Sequence, residues 1–431
     1  MKKKKVLFHS NHSRAFTGFE KNAKNILIHL HKTGKYELVE LANGIQNGDP
    51  NLDLLPWRAI GTLPTDPKKI EAINRDPNLA RGAGYGAEMI DEIIKQEKPD
   101  IYIGAEDIWA FDGFMKKVWW SKINSMVWTT LDSLPLLPTA IDNAPSIKNY
   151  YVWASFAEKE LNRLGHEHVK TLRGCVDTAR FLRLPDQKRQ EIRIDQKIPL
   201  SSFVIGFVFR NQLRKSVPNL LDGFKLFTQQ HPESNAKLLL HTHWSEGWDI
   251  PRLLKEKGID NNDILTTYFC KNCRKYEIKP FTGQDLNCRF CGAEKSQQTT
   301  QVTLGVSDSQ LNEIYNLMNV YCHPFTSGGQ ELPIQEAKLS ELITLVTNYS
   351  CGEDSCSKDS GGRPLEWAEY REPGTQFIKA STSPGSIRSS LSKVFKMPPE
   401  KKRKEEEKSR RYVVKNYSIE VIGKKVEEIL D

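Results

Sequence analysis

The sequence predicts an α/β protein of two Rossmann-like, doubly wound domains, with a small four-cysteine insert in the second. Three observations carry that expectation. Apolar runs of strand length alternate with amphipathic helical stretches along both halves of the chain. The alternation fades once, around residues 175–200, in a polar stretch containing Pro185 and Pro199. Within the second series, residues 266–300 lose the helical period and contain two Cys-x-x-Cys pairs.

In chain order, Val6-Leu7-Phe8 reads as a first strand and His9–Phe16 as a polar loop. Gly18-Phe19 then opens a helix over 20–32, with Ala23, Ile26, Leu27 and Leu30 on one face. A strand at 36–41 completes a strand-helix-strand unit, which implies a parallel sheet with right-handed crossovers. A helix over 87–96, strands at 101–104, 125–129 and 151–154, and a helix over 155–164 continue the pattern. The second series has a strand at 203–209, a helix around 218–228 and a strand at 236–241. Beyond the insert come a helix at 309–318, a strand at 320–322, a helix at 332–340, a strand at 343–347 and a charged helical end over 383–431. The domains are therefore expected at 1–180 and 200–400, with 266–300 inserted in the second and a terminal helix of about 412–431 joined to the first.

A chain of 431 residues with 38% hydrophobic content can bury a core of that size. No apolar run approaches the roughly 20 residues of a membrane span, and the short apolar segment after Met1–Lys5 is too brief for a secretory signal, so a cytoplasmic protein is expected. The formal net charge of +8 comes largely from Lys2–Lys5 and from 399–411, where cations mix with Glu. Solvated helical faces account for it, and a polyanionic partner or an anionic membrane surface is the alternative.

Eight cysteines fall into unlike groups. Cys270, Cys273, Cys288 and Cys291 have the spacing of two metal-binding knuckles, a pattern that suits four-thiolate, tetrahedral zinc. Four thiolates leave no open position for catalysis, so a structural zinc ribbon is expected. Its Lys271, Arg274, Lys275, Lys279 and Arg289, interleaved with Tyr268, Phe269, Tyr276, Phe281 and Phe290, are a candidate nucleic-acid surface. Cys351 and Cys356 read as free thiols. The Trp119-Trp120 pair reads as packing, and His9, His12, His241, His243 and His323 as hydrogen-bonded histidines near strand ends.

Two segments of the second half carry phosphate chemistry. The strand at 203–209 runs into Arg210-Asn211-Gln212-Leu213-Arg214-Lys215, which puts cations at the carboxyl end of a strand, where ligands bind in open parallel sheets. The strand at 320–322 leads into His323-Pro324-Phe325-Thr326-Ser327-Gly328-Gly329-Gln330-Glu331 and then a helix bearing Glu336. Amides at such a helix start suit an anionic or hydroxyl-rich ligand, and Glu336 is placed to accept from a ribose diol.

Phe-Val-Ile-Gly-Phe-Val-x-Arg-x4-Lys, then Leu-x3-Tyr-Asn, then Pro-x3-Gly-Gly-Gln-Glu-Leu-Pro-Ile-Gln-Glu-Ala, resembles the retaining GT-B glycosyltransferases of family four. Gly174-Cys175-Val176-Asp177 followed by Arg180-Phe181 resembles that family's approach to its hinge, and the likeness spans the chain outside the insert. The resemblance implies transfer of a glycosyl group from a nucleoside-diphosphate sugar, UDP- or GDP-linked, to a hydroxyl with retention. It puts the phosphate-binding pair on Arg210 and Lys215, the ribose contact on Glu336, and the loop glycine near the diphosphate on Gly18. The family's sugar-contacting Glu falls on Gly328, a departure. Gln330 or Glu331 then replaces that contact, or the amides of Gly329 and Gln330 hold the sugar. Where the family often has His, this chain has Asp132, either a turn cap or a group orienting or deprotonating the acceptor. A glycan, a lipid-linked sugar, a protein hydroxyl and a hydroxylated DNA base all stand as acceptors, and oligomeric state is left open. The alternative reading is an inactive nucleotide-sugar- or nucleic-acid-binding protein.

Overall fold

A computed structural model describes residues 3–14, 18–301 and 304–431. The chain forms two compact units, one of residues 1–176 with 416–431, the other of residues 177–415.

The first unit is built on seven parallel strands: β1 (Lys4–Asn11), β2 (Tyr36–Gln46), β3 (Arg58–Leu63), β4 (Ile101–Gly104), β5 (Asn124–Thr129), β6 (Asn149–Val152) and β7 (Lys170–Thr171). Their order is β3-β2-β1-β4-β5-β6-β7, so the winding reverses between β1 and β4. Val6, Phe8, Ile101, Ile103, Met126 and Trp128 pack against Ala23, Ile26, Leu27 and Leu30 of the helix Gly18–Thr33. Ile422, Val426 and Leu430, one face of the terminal helix Ile419–Leu430, join the same core. The expected polar loop after the first strand is shorter than the sequence suggested. β1 continues through Asn11, burying His9 and Ser10, while Ala15 and Phe16 lie outside the described residues.

The second unit holds β8 (Val204–Val208), β9 (Lys237–His241), β10 (Ile264–Cys270), β11 (Tyr276–Pro280), β12 (Gln297–Thr299), β13 (Val320–His323), β14 (Thr344–Thr347) and β15 (Gly362–Leu365). Their order is β11-β10-β9-β8-β13-β14-β15, with β12 also paired to β10, so here the winding reverses between β8 and β13. The cysteine-rich segment is continuous with this sheet. β10 runs parallel to β9 and antiparallel to β11 and β12, and its last residue is Cys270. A hairpin of β16 (Trp367–Arg371) and β17 (Ile378–Thr382) completes the strands described.

The fold class expected from the sequence is the one found: two parallel-sheet α/β units with a four-cysteine cluster in the second. Residues 186–195, read as part of a polar junction, differ. They form a helix of the second unit. Its pattern is cryptic because the anchor is a cation. Arg193, 7% exposed, donates to the carbonyls of Leu317 at 3.1 Å and Ser202 at 3.2 Å, and to Asn319 Oδ1 at 2.6 Å. Removing a partner from buried carbonyls costs about 1–3 kcal/mol each. Arg193→Met is therefore expected to lower unfolding stability by about 2–4 kcal/mol in urea titration; an unchanged midpoint would show that the helix is held otherwise.

Candidate active site

The reversal point between β8 and β13 is where an open α/β sheet leaves a crevice at the carboxyl ends of its strands. Two loops meet there. After β8, residues 209–216 pass through a short turn (Leu213–Lys215) to Ser216, whose φ of 39° reverses the chain into the helix Val217–Gln230. Asn211 ties this loop to the one after β9, donating to the Trp248 carbonyl at 2.9 Å. Gly247 makes the tie feasible: its φ is 57°, and a Cβ there would fall 1.9 Å from the Asn211 carbonyl oxygen.

Lys215 and Arg214 both point at one carboxylate. Lys215 Nζ pairs with Glu331 Oε2 and Arg214 Nη1 with Glu331 Oε1. Lys215 is 3% exposed and Glu331 6%. Burial, with Arg214 alongside, pulls the Lys215 ammonium down to about 8 against the opposing pull of Glu331. Burial also opposes ionisation of Glu331, yet Arg214 and Lys215 hold its carboxyl well below the usual range. The group is a compact triad carrying one net positive charge, with Lys215 and Glu331 buried and Arg214 35% exposed.

His323, at the end of β13, completes it. Burial lowers its imidazole to about 4, so it is neutral near pH 7. Tyr321 donates its hydroxyl proton to the Val208 carbonyl at 3.0 Å, so the hydroxyl oxygen accepts from His323 Nδ1, 2.9 Å away. The opposite nitrogen, Nε2, lies 3.4 Å from Glu331 Oε2, whose interaction opposes the effect of burial. The site thus offers cations for an anion.

The glycine-rich loop closes one side. The Gly328 amide donates to Ser350 Oγ at 3.0 Å, and its carbonyl accepts from the Cys351 amide at 3.2 Å. A Cβ at position 328 would stand 2.9 Å from Glu331 Oε1 and 3.3 Å from Arg214 Nη1. The carboxylate missing at 328 is therefore matched by one from 331 in the adjoining space.

The residues singled out in the sequence are distributed as follows. Lys215, Gly328 and Glu331 come together, with Gly329 and Gln330 in the same loop. Arg210 faces elsewhere: 56% exposed, it pairs with Glu246 Oε2 at 2.9 Å, and Arg214 occupies the arginine place beside Lys215. Glu336 is buried in the helix Leu332–Leu339, where Oε2 accepts from the Tyr315 hydroxyl at 2.9 Å. Gly18 and Asp132 belong to the first unit, Gly18 opening its first helix and Asp132 exposed beyond β5. The sequence reading included Arg214 in the basic run without a role and took His323 for an ordinary histidine. The alternation of strand and loop was the signal available for both, since His323 ends β13 and Arg214 lies in the loop after β8.

No protein-family model matches the chain, and no curated protein matches it by sequence. Solved structures do match in fold. A glycosyltransferase from Rickettsia africae ESF-5 superimposes with a TM-score of 0.66 at 14% identity, covering 100% of both chains. Sucrose-phosphate synthase from Thermosynechococcus elongatus gives 0.68 at 12% identity, over 100% of this chain and 98% of that one. HepE from Anabaena, solved with UDP and glucose, gives 0.65 at 12%, over 99% of each. The fold is GT-B.

Set into this GT-B chain is the four-cysteine cluster. Cys270 and Cys291 sulfurs lie 3.8 Å apart and those of Cys273 and Cys288 3.6 Å, with all four within 4.8 Å of one another. Disulfide sulfurs sit at about 2.0 Å, whereas four thiolates about 2.3 Å from a tetrahedral zinc are separated by about 3.8 Å. The donor set fits the metal. Backbone amides support two of the sulfurs, Cys273 N–H to Cys270 Sγ at 3.5 Å and Phe290 N–H to Cys288 Sγ at 3.4 Å. The segment is tied into its unit by Tyr276 to Glu313 at 2.8 Å, Ile278 N–H to Gln196 at 2.7 Å, and Trp244 stacked on Phe281 at 4.1 Å.

Proposed function

We propose that the chain is a glycosyltransferase that moves a sugar from a nucleoside-diphosphate sugar to an acceptor hydroxyl. The observation that carries this reading is the triad of buried Lys215 and Glu331 with half-buried Arg214 at the winding reversal of the second sheet, beside the amides of Gly328–Gln330. As the bond from sugar to diphosphate breaks, negative charge grows on the phosphate oxygens. Preorganised cations in a desolvated site stabilise that charge more than they do in water. Lys215 supplies a point charge and Arg214 a directional guanidinium. Glu331 fixes both cations and offers its carboxylate to sugar hydroxyls, with the neutral His323 behind it. The order of motifs supports retention at the anomeric carbon and a UDP- or GDP-linked donor, with Glu336 nearest the ribose, Gly18 near the diphosphate and Asp132 on the acceptor side.

The four cysteines are proposed to hold a structural zinc. The insert favours a glycan acceptor over a modified DNA base. Its six cations face three carboxylates, a zinc tetrathiolate adds about two negative charges, and Arg274, Lys275 and Arg289 already cover Phe269 and Phe290. No helix among the described residues is long and apolar enough to cross a membrane, in keeping with the cytoplasmic expectation.

The test is incubation with UDP- and GDP-sugars, following nucleoside-diphosphate release, with product mass against glycan and DNA acceptors and NMR of the anomeric configuration. Binding without release from any donor would mark the inactive binding protein instead. pH provides a further check. Lys215 is charged below about 8 and neutral above it in the ligand-free protein, and a bound diphosphate favours the charged form. UDP affinity is therefore expected to be full below pH 8 and to fall as the pH rises through it, in isothermal titration. Lys215→Met should bind weakly and lack that fall; a parallel decline in the variant would assign it to another group.

A further inference from the structure

The hairpin of β16 and β17 takes no part in the triad, yet it is bonded to the glycine-rich loop. A pair of strands is marginal by itself, and this pair is docked. The Trp367 indole N–H donates to the Asn348 carbonyl at 2.8 Å, the Tyr349 hydroxyl donates to the Ile378 carbonyl at 2.8 Å, and the two rings meet at 4.7 Å. At the end of β17 the Thr382 and Thr347 hydroxyls lie 2.7 Å apart, and Thr347 Oγ1 accepts from the Phe325 amide at 3.1 Å. These bonds fix β17 beside residues 325–328.

Lys379, on β17, is 8% exposed. Its ammonium donates to Ser327 Oγ at 2.8 Å, with the exposed Glu372 carboxylate 4.0 Å away. The next residue, Ala380, donates its amide to the Thr326 carbonyl at 2.9 Å. The same two loop residues are also bonded to Arg214. The Thr326 amide donates to the Arg214 carbonyl at 2.7 Å, and the Ser327 carbonyl accepts from Arg214 Nη1 at 3.4 Å. Thr326 and Ser327 are therefore pinned between β17 and a cation of the triad, immediately before the amides of Gly328–Gln330. Burying an ammonium costs more than burying a neutral donor. In return it makes a charge-assisted bond, roughly twice as strong as a neutral one, and brings positive charge up to a loop suited to an anion.

We propose that Lys379 is a positioning residue of this site: through Ser327 it holds the glycine-rich loop, and with it the Gly328–Gln330 amides and the Arg214 guanidinium, in place for a diphosphate. The role rests on the glycosyl-transfer reading in taking a nucleoside diphosphate as the ligand.

The experiment titrates the full chain with UDP and with GDP by isothermal calorimetry, in wild type, Lys379→Met, Ser327→Ala, the double variant and Lys379→Arg. Each single removal is expected to weaken binding of the nucleotide that wild type takes by about tenfold, the scale of one charge-assisted hydrogen bond. The double variant should stay within about threefold of Lys379→Met, because both changes break the same link. Lys379→Arg still donates to Ser327 and should recover most of the affinity. The matching nucleoside, uridine or guanosine, has no phosphate, so its binding should be equal in all five proteins, which a general loosening of the unit would not leave untouched. Without ligand, the Thr326 and Gly328 amides should exchange faster in both single variants while β8 and β13 exchange as in wild type. Unchanged affinity in Ser327→Ala beside a loss in Lys379→Met would put the ammonium on the phosphate itself and overturn the positioning role. Equal losses for nucleotide and nucleoside would overturn it too. Wild type that binds neither nucleotide counts against the donor reading, whereas wild type that binds, with variants that match it, counts against this one alone.

Discussion

Lys215→Met is expected to lower nucleoside-diphosphate release from the donor by at least about 100-fold, the scale seen when one preorganised transition-state donor is removed. The ammonium is enclosed, faces a carboxylate, and has no bulk water to replace it. Losing it also leaves Glu331 buried with Arg214 and a neutral histidine, and breaking a buried pair costs about 3–5 kcal/mol. Stability and chemistry must therefore be separated. The double variant Lys215→Met/Glu331→Gln removes both charges, so most of the melting temperature should return while turnover stays low. Arg214→Ala should follow the single variant in turnover. Arg210→Ala, which cuts an exposed pair with Glu246, should stay within a few-fold of wild type. Comparable turnover in Lys215→Met and wild type, or a greater loss in Arg210→Ala than in Arg214→Ala, would remove the triad from the chemistry.

Metal removal is expected to have the largest effect on stability. Four thiolates bind structural zinc with an apparent free energy of roughly 10 kcal/mol or more at neutral pH. Cys270 ends β10, a strand paired to β9, β11 and β12, so the metal site and the sheet edge form one structure. Chelation, or Cys273→Ser, should therefore speed amide exchange through β10, β11 and β12 and depress the melting transition of the second unit. Elemental analysis should find one zinc per chain beforehand. The site lies outside the triad, so at temperatures where the treated protein stays folded, UDP binding should weaken less than stability does. A chain that contains no metal as purified and melts identically with and without chelator would refute the zinc assignment.

How legible the fold was depended on what signal each element gave. The helix Gly18–Thr33 announces itself because Ala23, Ile26, Leu27 and Leu30 repeat at helical spacing and face the sheet. β8 and β13 are buried on both faces, as strands in the middle of a parallel sheet are, and β8 is apolar throughout. Arg193 gave no such signal, because periodicity does not reveal a cation that anchors a helix through carbonyl contacts. β3, at the sheet edge, is short and mixed in burial, and the strand-helix alternation passed over it.

The site divides the same way. Chemistry tied to local spacing could be read directly: two Cys-x-x-Cys pairs specify a tetrahedral thiolate site because each knuckle is only four residues long. A basic run after one strand and a glycine-rich turn after another likewise point to the carboxyl end of a parallel sheet. Which cation serves depends on side-chain direction and on residues more than a hundred positions away. Arg214 rather than Arg210 meets Glu331 because β8 and β13 are neighbours in the sheet though far apart in sequence. By itself the sequence determined the alternation of elements, the metal-type cysteines and the loops that carry charge, since those follow from periodicity and short-range spacing. Only the tertiary structure decided which charges meet and which stay dry, since desolvation and long-range pairing come into being when the strands assemble.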